Sequence, residues 1–419
     1  MAATVNTLLV EGSFDDQVIE LADYFDALKG VKEGEPTLSQ ELQPMLASGE
    51  KEDVMEKLVE ASSVLSQAPE KEYIPAYNLL VHLIRTSPLL PSLLDTVTAN
   101  LAIPLKNSQN GATLSLTILT TIFNILSPES SLRSEVFRSI IEIVDKNGLY
   151  EALKPQLKSL DRWLQEWDAG VEDTREILVN LANVAERAGD NQFYEFLLQA
   201  LQRFPADEAD EDEARELAVR TIKAAITLPH HMEFGDLTAL EPVKALSETD
   251  PELFSFFEIF AGGDFQDLEE FKEEHGGWLE ENGIDDAIAT RKLRLLTLTS
   301  LAAAAQDRSL AYSKIAAGLH IPAEEVELWV IDVIRAGLVE GKLSQLNQTF
   351  LIHRVSYRTF GKEQWEEVGQ RLETWKDSLR SILEVVTQAR KQVENQTERE
   401  KTSAEKLLQQ SGGGVLGEA

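Results

Sequence analysis

Apolar residues recur three and four apart along nearly the whole chain, the spacing that lines one face of an α-helix. Near the start, Phe14, Val18, Leu21, Phe25 and Leu28 share such a face. Ser13-Phe-Asp-Asp16 before them reads as a capping box, and Gly30 supplies the stop. Similar amphipathic segments are expected at 50–67, 71–86, 92–102, 112–126, 131–146, 149–168, 172–188 and 190–203. Breaks such as Thr-Ser-Pro-Leu-Leu-Pro91, Leu-Ser-Pro128 and Lys-Asn-Gly148 separate them. No repeat of fixed length is visible, so 1–205 reads as an irregular α-solenoid of helical hairpins. Asp207, Glu208, Asp210, Glu211, Asp212 and Glu213 then form an acidic run. It reads as a solvated lead into a helix N-terminus, and a domain boundary is expected beside it. Helices resume at 214–227, 236–247, 251–261, 264–274 and 285–305, which makes 206–305 a second helical region.

Beyond 305 the period changes. A short helix is expected at 309–319, and Ile321-Pro322 opens another that runs to 336 with Gly337 as its cap. The stretches 338–346 and 349–356 are β-like, with a turn at Asn347-Gln348. Helix, turn, helix and a two-stranded wing is the order of a winged helix, placed at 306–360. Leu343, Leu346, Phe350 and Ile352 on the wing strands are candidates for an edge that pairs with a strand of another protein. Val326, Trp329, Val330 and Val333 are expected in the core of the same domain. With Ile331 and Ile334, the apolar positions of the second helix cover about half its circumference, so a protein-facing anchor stays open for Trp329.

The last element is long. Trp365, Val368, Leu372, Trp375, Leu379, Ile382, Val386, Ala389 and Val393 step by alternating threes and fours, a heptad seam that asks for a partner helix. Trp365 and Leu372 are expected to pack back on their own domain as far as Trp375. Leu379, Ile382, Val386, Ala389 and Val393 are expected to reach other chains, because a seam that long rarely stays exposed on a monomer. The helix is expected over 361–393, and 394–419, with Ser411-Gly-Gly-Gly414 near its end, reads as a disordered tail.

Charge narrows the partners. Among 419 residues, 39 basic side chains face 72 acidic ones, a formal net charge of −33. Such a balance opposes bulk binding to DNA, RNA or an anionic membrane. The second helix of the winged helix carries Glu324, Glu325, Glu327 and Asp332 against Arg335 alone, where a groove reader presents Arg, Lys, Asn or Gln. Two basic patches, Arg291-Lys292-Leu-Arg294 and the stretch 354–362, leave room for a weak RNA contact. The uncharged stretch 107–128 holds an apolar part from 112 to 126 with many Thr, too short and too polar for a membrane span. The start lacks a basic segment and reads as no secretory signal.

No catalytic pattern emerges. With no cysteine, thiol nucleophiles, disulfides and Cys-based zinc sites are excluded, which suits a reducing compartment. The six histidines form no His-Glu-x-x-His; His230 and His231 are adjacent and cannot share a helix face. Gly337-Leu-Val-Glu-Gly-Lys-Leu343 has three residues between its glycines instead of four, and Leu where a phosphate loop needs Ser or Thr. No catalytic, cofactor-binding or metal-ligating residue is expected.

Helical hairpins, a winged helix and a long terminal helix, in that order, resemble the PCI-domain proteins. These are subunits of the proteasome lid, the COP9 signalosome and eukaryotic translation initiation factor 3. The stretches Thr7-Leu-Leu-Val-Glu-Gly-Ser-Phe14, Leu116-Thr-Ile-Leu-Thr-Thr-Ile-Phe-Asn124, 237–260 and Trp329-Val-Ile-Asp-Val-Ile-Arg-Ala-Gly-Leu-Val-Glu-Gly-Lys-Leu343 are similar to its initiation-factor branch, across about 5–393. The resemblance implies a non-catalytic cytoplasmic scaffold among other PCI and MPN subunits, meeting the small ribosomal subunit through the complex. It also implies winged helices aligned edge to edge and terminal helices gathered in a bundle. The rival readings are a scaffold of the COP9 signalosome or proteasome lid and, from another class, a nucleic-acid-binding PCI protein of mRNA export.

Overall fold

A computed structural model describes residues 12–30, 36–85, 87–103, 105, 108–167, 169–205, 208, 211–305, 307–358 and 362–411. The stretch 7–11 of the first motif, part of the acidic run and the final 412–419 lie outside the described residues. The architecture is mainly α, as expected. Two compact units divide the chain: one runs to His231 and adds Asp236–Phe257 and Trp278–Ala289. The other comprises Met232–Gly235, Glu258–Gly277 and the chain from Thr290 on.

The first unit is a stack of antiparallel helices whose ends follow local chemistry. Ser13 and Asp16 form the expected capping box at the start of helix Phe14–Lys29, and their hydrogen bond holds the Asp16 carboxyl below its ordinary pKa. Val18, Leu21, Ala22 and Phe25 of that helix are buried. A helix at Leu38–Ser48, with Pro44 inside it, falls where none was expected. Its first turn is capped from a neighbour: the buried Asp26 carboxylate accepts from the Leu38 and Ser39 amides at 3.0 and 3.2 Å. The single helix expected at 149–168 is broken around Pro155 into Tyr150–Leu153, a 3-10 turn and Leu160–Glu166. Trp163 and Trp167 from this segment pack on Phe123 at 5.1 and 5.8 Å between ring centres.

The uncharged helix Gly111–Ile125 buries Ile118, Leu119, Ile122 and Phe123. Thr117, Thr120 and Thr121 return their hydroxyls to carbonyls four residues back, at 2.8, 2.7 and 2.9 Å. Among the described residues no helix is long and apolar enough to cross a membrane. Helix Asp212–Thr227 packs on both Gln192–Leu201 and Glu241–Thr249, so the stack continues across the acidic stretch that was expected to mark a boundary.

In the second unit, the stretch expected as one short helix divides into strand β1 (Ser309–Ala311) and helix Tyr312–Leu319. A 3-10 turn leads into helix Val326–Arg335, and the wing follows as β2 (Val339–Ser344) and β3 (Thr349–Val355). The sheet is antiparallel with the order β1-β3-β2, so β3 lies in the middle. Val326, Val330, Val333, Ile315, Leu319, Phe350 and Ile352 form its core. At the bulge between Glu340 and Gly341, a side chain on Gly341 would stand 2.4 Å from the Leu351 carbonyl oxygen, so only glycine fits.

The terminal helix, Lys362–Ser411, has 50 residues and spans about 75 Å at 1.5 Å per residue. It runs through 394–411, which had been assigned to a disordered tail. That stretch is rich in Glu and Gln with Lys, Leu and Arg among them, and it meets no proline and no glycine before 412, so nothing in it stops a helix.

Candidate functional site

The terminal helix presents its seam to solvent. Trp365, Leu372, Trp375, Leu379, Ile382 and Val386 are 59–71 % exposed, and Ala389 and Val393 are exposed as well. Placement of Trp365 and Leu372 in the domain core is therefore corrected. The core is already closed by Val326, Val330, Val333 and Phe350, and periodicity alone does not say which body covers a seam. Only Val368 is half-buried. Leu383 and Val385, not singled out from the sequence, are exposed beside the seam. In the heptad that starts at Leu379 they take the e and g positions, usually charged, and widen the apolar stripe.

The wing differs from expectation. Phe350 is fully buried and Ile352 nearly so, because both lie on the central strand and point into the core. They offer no edge: β1, hidden in what read as a helix start, pairs with the far side of β3 through Leu310 opposite Phe350. Leu343 is half-buried against the same core, and Leu346 falls in the turn between β2 and β3 rather than on a strand. Among the described residues the open edges belong to β1 and β2. Trp329 is half-buried: the Arg294 guanidinium lies 5.3 Å from its ring and 4.6 Å from that of Phe265.

Both basic patches dissolve in three dimensions. Arg291 pairs with Asp332 at 2.8 Å, and Lys292 is buried, its ammonium 5.3 Å from the Phe234 ring centre. Burial pulls the Lys292 pKa down to about 7. Arg354 pairs with Glu340 at 3.3 Å. Arg358 turns inward and is buried. Its Nη1 donates to the Gly263 carbonyl at 2.6 Å and to Ser300 Oγ at 3.2 Å, and its Nη2 to the Phe260 and Ile259 carbonyls at 2.9 and 3.2 Å. Burial lowers its pKa to about 10, opposed by Asp264 and Asp267. A side chain on Gly263 would stand 2.8 Å from Ile259 Cα, so glycine at 263 keeps the carbonyl within reach. Sequence reasoning missed this role, since the carbonyls lie nearly a hundred positions away. Among the described residues no group of three His, Cys, Asp or Glu is placed to hold a metal ion.

The comparisons fall on these two surfaces. Residues 276–354 match the PCI domain family, and 358–386 match the family described as eIF3 subunit M, C-terminal helix. The chain is 49 % identical over 400 residues to eukaryotic translation initiation factor 3 subunit M of Phaeosphaeria nodorum, covering 94 % of this chain and 90 % of that one. This chain belongs to the subunit M family of eukaryotic translation initiation factor 3. Subunit M of Aspergillus oryzae is 43 % identical, covering 97 % of this chain and 90 % of its own, and that of Chaetomium globosum is 37 % identical, covering 95 % and 92 %. The match to the subunit M helix opens at Arg358, the buried anchor, and closes at Val386 on the seam. Ala389 and Val393 lie beyond it.

Proposed function

We propose that this chain is a non-catalytic scaffold subunit of eukaryotic translation initiation factor 3, working in the cytoplasm. Its terminal helix joins those of sibling PCI and MPN subunits, and the assembled factor supports preinitiation-complex formation on the small ribosomal subunit and recruitment of mRNA. The observation that carries this reading is the exposed seam from Leu372 to Val386, apolar side chains at heptad spacing on a helix of 50 residues. Solvated leucine and tryptophan at that spacing gain about 25 cal/mol per Å2 of apolar area removed from water when a second helix covers them. Open strand edges at β1 and β2 offer the siblings a second contact. The COP9 and proteasome-lid readings share this physics and lose ground to the subunit M relatives. An mRNA-export reading loses ground to the pairing of Arg291 and Arg354 and the burial of Lys292 and Arg358.

Leu379→Asp together with Ile382→Asp places two charges in the seam. The tagged variant should keep its helical circular dichroism and lose its sibling subunits on co-purification, measured by native mass spectrometry. Unchanged co-purification would remove the distal seam from the assembly.

A further inference from the structure

Helix Val326–Arg335 holds the place that reads a DNA groove in many winged-helix proteins. It turns Val326, Val330 and Val333 inward and leaves Leu328 65 % and Ile331 37 % exposed. Three positions apart, these two share an outward face. Leu346, in the turn between β2 and β3, is 95 % exposed. The turn and the helix are tied together through one carboxylate. Gln345 Nε2 donates to Glu327 Oε2 at 2.9 Å, and the Tyr312 hydroxyl donates to Glu327 Oε1 at 3.3 Å. Glu327, next to Leu328, thus holds Gln345, next to Leu346. Leu328 and Leu346 each follow one partner of the Gln345–Glu327 hydrogen bond in sequence, and Ile331 lies about one turn further along the helix.

Charge indicates what covers them. Glu324 and Glu325 are exposed in the 3-10 turn before the helix, and Arg335 is exposed at its other end. At 1.5 Å per residue the two ends stand about 15 Å apart. Acids beside the leucines repel phosphate, and two of the cations near them are engaged: Arg291 with Asp332, Arg294 with Phe265 and Trp329.

We propose that Leu328, Ile331 and Leu346 form a docking surface for an amphipathic helix of another protein. That helix carries Lys or Arg where it passes Glu324 and Glu325, an apolar stripe over the leucines, and Asp or Glu near Arg335. The surface is separate from the terminal seam and goes beyond the scaffold role proposed above. The element that would have read a nucleic acid reads a protein instead.

The chain has no cysteine, so Leu328→Cys gives a single thiol at the centre of the patch. Its maleimide labelling rate in the assembled factor is expected to be at least about tenfold below that of the free full chain. Adding Glu324→Lys and Glu325→Lys should restore the rate while the chain stays in the complex. Equal rates in the two states overturn the proposal. Protection that survives the charge reversal overturns it as well, and so does protection abolished by ribonuclease, which would assign the surface to RNA. A binding measurement on the free full chain needs no assembly, so a failure of co-purification is read separately. An amphipathic peptide of about 20 residues, with leucines at i, i+3 and i+7 and two lysines at one end, should bind about tenfold tighter than its glutamate counterpart. Leu328→Asp with Leu346→Asp should remove that binding, and equal affinity of the two peptides overturns the proposal.

Discussion

Arg358 donates from Nη2 to the carbonyl oxygen of Phe260, 98 residues earlier, at 2.9 Å. That bond and its companions to Ile259, Gly263 and Ser300 moor the chain where the terminal helix is about to begin. Removing the guanidinium strands three carbonyls in a site that excludes water, and a buried polar group left without a partner costs about 1–3 kcal/mol. Arg358→Met should therefore lower the unfolding free energy by about 3 kcal/mol in urea titration, with Arg358→Lys in between. A loss within about 0.5 kcal/mol, the range of ordinary surface substitutions, would show that the mooring contributes nothing.

Lys292 gives the second unit a pH dependence of known sign. Its pKa falls from the usual 10.5 to about 7 because burial disfavours the charged form. Between those two values the unfolded chain binds the proton and the folded chain does not, so stability gained through this residue rises with pH. Below about 7 both states carry the proton, and the cost of burying the charge stays in full. Relative to Lys292→Met, the native protein should gain stability between pH 7 and 10 and show no further change below pH 7. Urea midpoints across that range test the difference, and parallel profiles would contradict it.

Phe350 and Leu346 were read from the sequence as parts of one edge, and the structure separates them. Phe350→Ala opens a cavity in the centre of the wing core and should cost about 3–5 kcal/mol. Leu346→Ala in the free chain should stay within about 0.5 kcal/mol of the native protein. Comparable losses at the two positions would restore the edge reading.

Gly341 meets the same core from the other side. A methyl group there is pressed against a strand carbonyl and the Phe350 ring, so Gly341→Ala should cost about 1–3 kcal/mol. Thermal melts of the full chain would show it as a lowered transition, and an unchanged melt would mean that the bulge relaxes freely.

Local patterns were legible wherever a helix is decided by its own residues. Ser13, Asp16 and Gly30 set the ends of the first helix, and the threes and fours of the terminal helix were plain. Helix Leu38–Ser48 was not expected; its first turn is capped by its own Thr37 and by Asp26 of the preceding helix, and the second of these contacts is invisible in the local pattern. Strand β1 is three residues long, too short for alternation to register against the helical stretch that follows. Its absence from the sequence reading turned the central strand into an edge and moved Phe350 and Ile352 to the wrong side. The exposure of Trp365 and Leu372 was beyond reach for another reason: a seam shows that it wants a cover, not whose cover it gets. Arg358 was read only as part of a basic stretch that leaves room for a weak RNA contact, because its acceptors are backbone atoms, which carry no mark in the order of side chains.

Because the terminal helix is one unbroken rod, counting residues along it is the same as aiming. Deleting a single residue near its root would swing every position beyond by about 100° around the axis and shorten the reach by about 1.5 Å. Removing a whole heptad would restore the aim to within about 20° while drawing the tip inward by nearly two turns of travel, roughly 10 Å. Length and heading in this helix are thus coupled, and only a change close to a whole number of turns, such as about seven or eleven residues, keeps the seam pointing the same way.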